Sequence, residues 1–290
     1  MRRGPLYMIF ASLLFTVMVA LVKLAREELS AVDVMVWRAL TSVPLVWLLA
    51  RRVGLRVKAP RLMALRVVLG FGAMFSYFTA AKGLSLADIS LFARLQPILI
   101  TALAPWALGS TERAGGRLWL LLVAGLAGAA VMLAPELAIG STWGLWAVAS
   151  AVLAAGAHLC VRGLGSTDHP FRVVFWFQLW MAFIALPIAV IDHGGLVLPP
   201  VHLWPVLLGC GLTASAAQVL LTQAYRIDRA APVAAASYAA PVWAVIGDLV
   251  VFGVLPGGHA MIGGGLIVAV GLLLVFQRAA PAEDPVARVP

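Results

Sequence analysis

Residues 84–109 read LSLADISLFARLQPILITALAPWALG, and residues 228–253 read DRAAPVAAASYAAPVWAVIGDLVVFG. An offset of 144 lays Arg94-Leu95-Gln96-Pro97 over Tyr238-Ala239-Ala240-Pro241. Each apolar run therefore carries a proline near its middle, three residues after a polar side chain. The same offset lays Ala80-Ala81-Lys82 over Ala224-Tyr225-Arg226. Offsets of 143 and 139 match Trp37 with Trp180, Pro44 with Pro187, and Lys23 with Arg162. The chain reads as an internal duplication.

Outward from these runs, the whole chain divides into apolar segments of the size a bilayer demands, about 20 residues each. Ten are expected, at 6–22, 32–50, 63–84, 89–108, 118–134, 143–164, 171–191, 203–225, 231–252 and 260–276. Five fall in each half. Five is odd, so the second half must enter the membrane with the opposite orientation, and inverted repeats of this kind are a signature of secondary transporters. The expected fold class is an all-α integral membrane protein of ten transmembrane helices in two inverted five-helix repeats. The expected domains are 1–139, 140–277 and a disordered cytoplasmic tail at 278–290, rich in Ala, Pro and charge.

Composition agrees. Of 290 residues 63 % are hydrophobic and 11 % charged, against roughly 25 % charged in a soluble domain, and the mean hydropathy is +1.01. A soluble globule cannot cover its surface with so few polar groups, and a disordered chain cannot be so apolar. The net charge of +9 is explained by topology rather than by nucleic acid. With the N-terminus inside, Arg2, Arg3, Arg51, Arg52, Arg56, Lys58, Arg61, Arg66, Arg113, Arg117, Arg162, Arg172, Arg226, Arg229, Arg278 and Arg288 share one side, and Lys23, Arg26 and Lys82 lie on the other. That bias puts both termini in the cytoplasm. The first apolar run opens with Arg2 and Arg3 but shows no small-x-small cleavage site, so it is read as a retained helix. Cys160 and Cys210 lie inside apolar runs and imply no disulfide framework.

Ten spans with a proline-centred helix in each half resemble the drug/metabolite transporter superfamily, specifically its EamA-type members. The matching stretches are Phe75-Ser76-Tyr77-Phe78-Thr79-Ala80-Ala81, Ala87-Asp88-Ile89-Ser90 and Gln96-Pro97 in the first half. In the second they are Thr222-Gln223-Ala224-Tyr225, Ala230-Ala231-Pro232-Val233 and Ala240-Pro241 onward to Phe252-Gly253. The resemblance implies transport of small molecules, over substrates as varied as amino acids, cofactors, nucleobases, sugars and cationic drugs. It also implies a Glu directly after the Leu-Gly or Phe-Gly pair that closes the fourth and ninth spans. Here Ser110 follows Leu108-Gly109, with Glu112 two residues on, and Val254 follows Phe252-Gly253.

Ionisable groups inside a bilayer cost about 2.5–3.5 kcal/mol on insertion scales and default to functional hypotheses. Arg38, Arg94 and Asp248 qualify. Ser90, Arg94, Pro97, Thr101 and Pro105 form one helical stripe, as do Ala234, Tyr238, Pro241, Val245 and Asp248 in the other half. Pro97 and Pro241 each free a carbonyl that a membrane tolerates only beside protein or water, which points both stripes at a cavity. Arg38 either forks onto a carboxylate or phosphate of the substrate or clamps to Asp33, Asp88 or Asp248. Asp248 either exchanges a proton in alternation with substrate or pairs with an arginine. Gln218 and Thr222 share a stripe on the eighth span that matches Met74 and Phe78 on the third, where Ser76, Tyr77 and Thr79 lie nearby. His158 either binds a ligand or ties helices together, and Gly125/Ala129 and Gly265/Ala269 permit close helix approach.

The expected substrate-binding wall is Arg38, Tyr77, Arg94, Gln218, Thr222 and Tyr238, with Asp248 for coupling and Pro97 and Pro241 as helix breaks. No phosphate-binding Gly loop with Lys, zinc-spaced His/Cys set or nucleophile elbow is present in the sequence. The chain is thus expected to be no enzyme, with no cofactor and no metal. Its expected partners are a small-molecule substrate, the lipid bilayer and a proton, with no nucleic acid; monomer and homodimer stay open. The expected function is alternating-access export of a small metabolite such as an amino acid, across a bacterial-type inner membrane. Uptake of an anionic or aromatic metabolite or vitamin, or export of cationic drugs, are the alternatives.

Overall fold

Long apolar runs without interior polar partners have one economical solution in a bilayer, the α-helix, because it satisfies every backbone group within the segment. The computed structural model describes residues 3–80, 83–84, 86–133, 142–193, 195–252 and 257–276. Among them ten helices are long and apolar enough to cross a membrane. The elements are α1 (Arg3–Ala25), α2 (Ala31–Val53), α3 (Pro60–Ala80), α4 (Leu86–Ala93), α5 (Gln96–Leu108), α6 (Gly116–Leu133), α7 (Thr142–Leu164), α8 (Pro170–His193), α9 (Trp204–Ile227), α10 (Ala230–Ala236), α11 (Ala239–Phe252) and α12 (Gly258–Phe276). The tail 278–290 and Lys82 lie outside the described residues.

Local chemistry sets the ends. Ser30 caps α2 by accepting the Asp33 N–H at 3.2 Å, and Pro60 and Pro170 open α3 and α8 with a pre-set φ and no orphan N–H. Gly54 ends α2 at φ +84° and Gly109 ends α5 at φ +106°, backbone that other residues rarely adopt.

The fourth and ninth spans are each divided. The sequence reading expects helix breaks at Pro97 and Pro241; the helices are interrupted two to four residues earlier, at Arg94-Leu95 and at Ser237-Tyr238. At each break the chain tightens to three-residue hydrogen bonds: Arg94 N–H to Leu91 O at 2.9 Å and Leu95 N–H to Phe92 O at 3.0 Å. Ser237 N–H to Ala234 O at 3.0 Å and Tyr238 N–H to Ala235 O at 3.2 Å repeat the pattern. A proline follows just inside each new helix. Its missing N–H and its ring oppose the preceding turn, so the helix restarts there rather than bending through.

Helix neighbours come in exchanging pairs. α1 packs along α9 and α3 along α7, while α2 packs on α8 and α6 on α12. The divided helices sit between the α6–α12 pair and the central four, with α10 touching α5 and α1, and α4 touching α7. Small residues set the α6–α12 distance, though not at the Gly265 expected from sequence, which faces open space. A Cβ on Gly263 would lie 2.5 Å from Gly128 O and 2.6 Å from Met132 N, so the two backbones meet directly at Gly128 and Gly263. Gly125 instead leaves room for the ring of Tyr238.

A candidate substrate site at the paired helix breaks

Pro241 carries no N–H, so the carbonyl of Ser237, four residues earlier, loses its α-helical donor. Arg94 supplies one, donating from Nη1 to Ser237 O at 3.0 Å. In return Tyr238 Oη donates to Arg94 O at 3.1 Å. Residues 94 and 238 occupy matching positions of the duplication, and each satisfies backbone freed at the break of the other. Arg94 Nε also reaches Ser90 O at 3.4 Å.

Beside these breaks lies a cavity of about 190 Å³, lined by Arg94, Gln96, His158, Tyr225 and Ser237, with Ser12 and apolar side chains of α1 and α5 completing the wall. Gln96 Nε2 approaches His158 Nδ1, which ties α5 to α7. The His158 and Tyr225 rings lie 5.5 Å apart between centroids, tilted by 37°. The first turns of α5 and α11 both reach the cavity, through Gln96 and Ala240. Their partial positive ends, about half a charge each, are offset by the C-terminal ends of α4 and α10 at the same level. The full charge of Arg94 decides the sign.

The expected residues are only partly brought together. Arg94 lines the cavity. Tyr77 lies close enough to Arg94 to feel its charge and packs beside Ala80, Leu84 and Ile89. Tyr238 is 1 % exposed and turns its ring to α6, so it is a strut of the break rather than part of the cavity wall. The Thr222 hydroxyl is spent on Gln218 O at 2.7 Å, and neither residue lines the cavity. Asp248 falls within α11, and its side chain lies outside the described residues. Arg38 is buried, and among the described residues its guanidinium finds thioethers as partners, Met18 Sδ at 3.7 Å and Met74 Sδ at 4.0 Å. The expected clamp to Asp33 or Asp88 is not formed.

Gln96, His158 and Tyr225 join the wall without having been assigned to it from sequence. Their signal was position: Gln96 directly precedes Pro97, and a residue beside a helix-breaking proline is held at the break. Arg66, counted from sequence among the basic groups of one membrane face, is 3 % exposed within α3, its guanidinium 3.9 Å from the Phe177 ring centroid.

Two polar networks fasten one end of the bundle. Glu112 is 3 % exposed and pairs with Arg162 at 2.9 Å, while its other oxygen accepts the Ala230 N–H that opens α10 at 2.8 Å. Arg162 also donates to Tyr225 O at 3.2 Å. Asp168 pairs with Arg172 at 2.9 Å and accepts the Lys58 and Ala59 N–H groups at 3.0 and 3.3 Å. Arg172 in turn donates to Val53 O and Gly54 O, both at 2.7 Å. Burial works to raise the Asp168 carboxyl, but the Lys58 amide, Arg172, Thr167 and the Ala59 amide hold it below its ordinary value. Burial, then Arg226 and Arg172, push His169 down.

Ten spans, two divided helices and a cavity at their breaks define a polytopic membrane transporter. The EamA-like transporter family model matches residues 2–134 and again 141–277, and the chain belongs to that family. The pseudopaline exporter CntI of Pseudomonas aeruginosa (strain UCBPP-PA14) is 30 % identical over 278 residues, covering 94 % of this chain and 96 % of that protein. An uncharacterized transporter of Helicobacter pylori (strain J99) is 25 % identical over 285 residues, 94 % of each chain. A riboflavin transporter of Vibrio cholerae is 28 % identical over 161 residues, 54 % of this chain and 52 % of that one. A crystal structure 22 % identical in sequence superposes with a TM-score of 0.77, covering 95 % of this chain and 97 % of that chain, which shows the shared fold. The chain is a multi-pass inner-membrane transporter of small metabolites rather than an enzyme.

Proposed function

We propose that this transporter exports a small metabolite bearing an anionic group, such as an amino acid, by alternating access between two inverted five-helix repeats, residues 1–139 and 140–277. The observation that carries the reading is Arg94. Its guanidinium lines a cavity at the meeting point of two divided helices, bonded to carbonyl oxygens and, among the described residues, to no carboxylate. Two carbonyls accept from Nε and Nη1 but leave the positive charge in place, and a carboxylate or phosphate is the natural complement. The exchange of helix neighbours between the halves supports the repeat assignment. The Lys/Arg bias supports cytoplasmic termini. The likeness to an exporter over almost the whole chain supports the direction, and Asp248 is the proposed proton-coupling group.

A thermal-shift screen of the detergent-purified protein tests the substrate class, because a ligand of the folded state raises the melting temperature with concentration. Amino acids, nucleobases, vitamins and cationic dyes form the panel. Carboxylate-bearing hits that disappear in Arg94→Ala and persist in Tyr238→Phe support the reading. Hits confined to cationic dyes and indifferent to Arg94→Ala overturn it. Coupling is tested separately: Asp248→Asn in proteoliposomes should abolish transport driven by an imposed proton gradient, and undiminished proton-driven transport removes Asp248 from the role.

A further inference from the structure

Among the described residues, Arg38 and Arg66 are buried away from the ion pairs that hold Arg162 and Arg172. Arg66 enters α3 near one end, yet it does not reach back towards that end. Its Nη1 lies over Gly70, where a Cβ would sit 2.3 Å away, and its plane covers the Phe177 ring. Gly70 and Phe177 thus form a slot that holds the charge inside the bundle. Within the slot the Nε of Arg66 has no hydrogen-bond partner, and no carboxylate among the described residues pairs with it. The field of Arg66 reaches His158 and Tyr225, which line the cavity.

Arg38 approaches the same face of α3 from the other direction. Its Nη2 lies by Met74, one turn and about 6 Å of rise beyond Gly70. Its Nη1 touches Met18 on α1, about one turn past the cavity-lining Phe15. Thioethers are weak acceptors and bring no compensating charge. A structural arginine in a membrane is normally matched by carbonyls or acids; among the described residues neither guanidinium is.

We propose that Arg38 and Arg66 form a second anion-binding subsite continuous with the Arg94 cavity, and that the substrate carries at least two anionic groups. The proposal rests on the anionic-substrate reading above and sharpens it to polyanions, of which di- and tricarboxylates are the natural class. A monoanion neutralises one guanidinium and leaves the others desolvated and unpaired. A polyanion neutralises several at once, and its length along α3 sets which ones.

The test uses the full-length protein in detergent, with melting temperatures measured against chloride, acetate, succinate, citrate and sulfate at matched ionic strength. Citrate and succinate should raise the melting temperature with concentration where acetate and chloride do not. Arg66→Met should weaken the apparent citrate affinity about tenfold or more, and Arg66→Lys should recover part of the loss. The ligand-free melting temperature of Arg66→Met should be no lower than wild type, since that change removes an uncompensated buried charge. An acetate response equal to that of citrate, lost in Arg94→Ala and intact in Arg66→Met, overturns this inference and leaves the single-anion reading standing. A lower ligand-free melting temperature in Arg66→Met with an unchanged citrate response makes Arg66 a packing residue and overturns it too. No response to any anion overturns both readings.

Discussion

Arg94 and Tyr238 cap one another across the duplication: the Arg94 guanidinium donates to the carbonyl of Ser237, and the Tyr238 hydroxyl donates to the carbonyl of Arg94 at 3.1 Å. Two half-helices therefore hold each other open at one level of the membrane. The arrangement helps the chain tolerate Pro241, since the Ser237 carbonyl that it frees gains a non-local donor beside the Ala240 N–H at 3.1 Å; at the first break Tyr238 takes the carbonyl of Arg94, the neighbour of the Ala93 carbonyl that Pro97 frees. The two partners are not equivalent. Tyr238 is enclosed by α6, while Arg94 remains in contact with the cavity.

That asymmetry separates stability from ligand response. Tyr238→Phe should cost about 1 kcal/mol, the scale of a hydrogen bond within a membrane protein, and lower the melting temperature while ligand responses persist. Arg94→Met should abolish ligand response. An unchanged melting temperature in Tyr238→Phe would count against the mutual cap.

At the α6–α12 contact, neighbouring glycines should behave with opposite sign. Gly263→Ala places a methyl against the backbone of Gly128 and Met132, and should destabilise by about 1–3 kcal/mol as the helices are forced apart. Gly265→Ala meets nothing within 4 Å and should be neutral or mildly stabilising, because alanine is the better helix former. Thermal melting of both variants decides the point; equal losses would refute the packing described.

Glu112 has two separable tasks. Glu112→Gln retains an oxygen for the Ala230 N–H but loses the ion pair with Arg162; Glu112→Ala loses both. Melting temperatures should fall in the order wild type, Gln, Ala, with the alanine variant costing about 3 kcal/mol, the lower end for a buried pair because Arg162 is partly exposed. A glutamine variant as unstable as the alanine one would assign everything to the ion pair.

Acid stability should fall in two stages, both traceable to the 168–169 turn. His169 titrates below the ordinary histidine value of 6.5 when folded. The unfolded chain therefore binds the proton first, and stability declines as pH drops from about 6.5 towards the folded value. Asp168 titrates below 3.8 when folded. Its contribution is complete above 3.8 and is lost as pH falls through the folded value. His169→Gln should remove the upper limb of a melting-temperature profile and Asp168→Asn the lower one. A profile that keeps both limbs in both variants sinks the assignment.

The amino-acid sequence by itself determined the ten spans and the family, because hydropathy is a local property that sums over about 20 residues. It also located both breaks to within a few residues, since Pro97 and Pro241 act on their own preceding turn. Only the tertiary structure decided which polar side chains face one another. Arg94 and Ser237 stand 143 residues apart in the chain, and nothing local says that one guanidinium will take that carbonyl. For the same reason nothing local says that the Tyr238 ring packs against Gly125 while its hydroxyl reaches the carbonyl of Arg94, and Arg66 looked like one more basic group at the membrane face. The spacing of Glu112 from Gly109 likewise hid a buried acid that holds Arg162 and the start of α10. In a bilayer the spans follow from transfer energy residue by residue, whereas the site follows from pairings that exist only after the helices have packed.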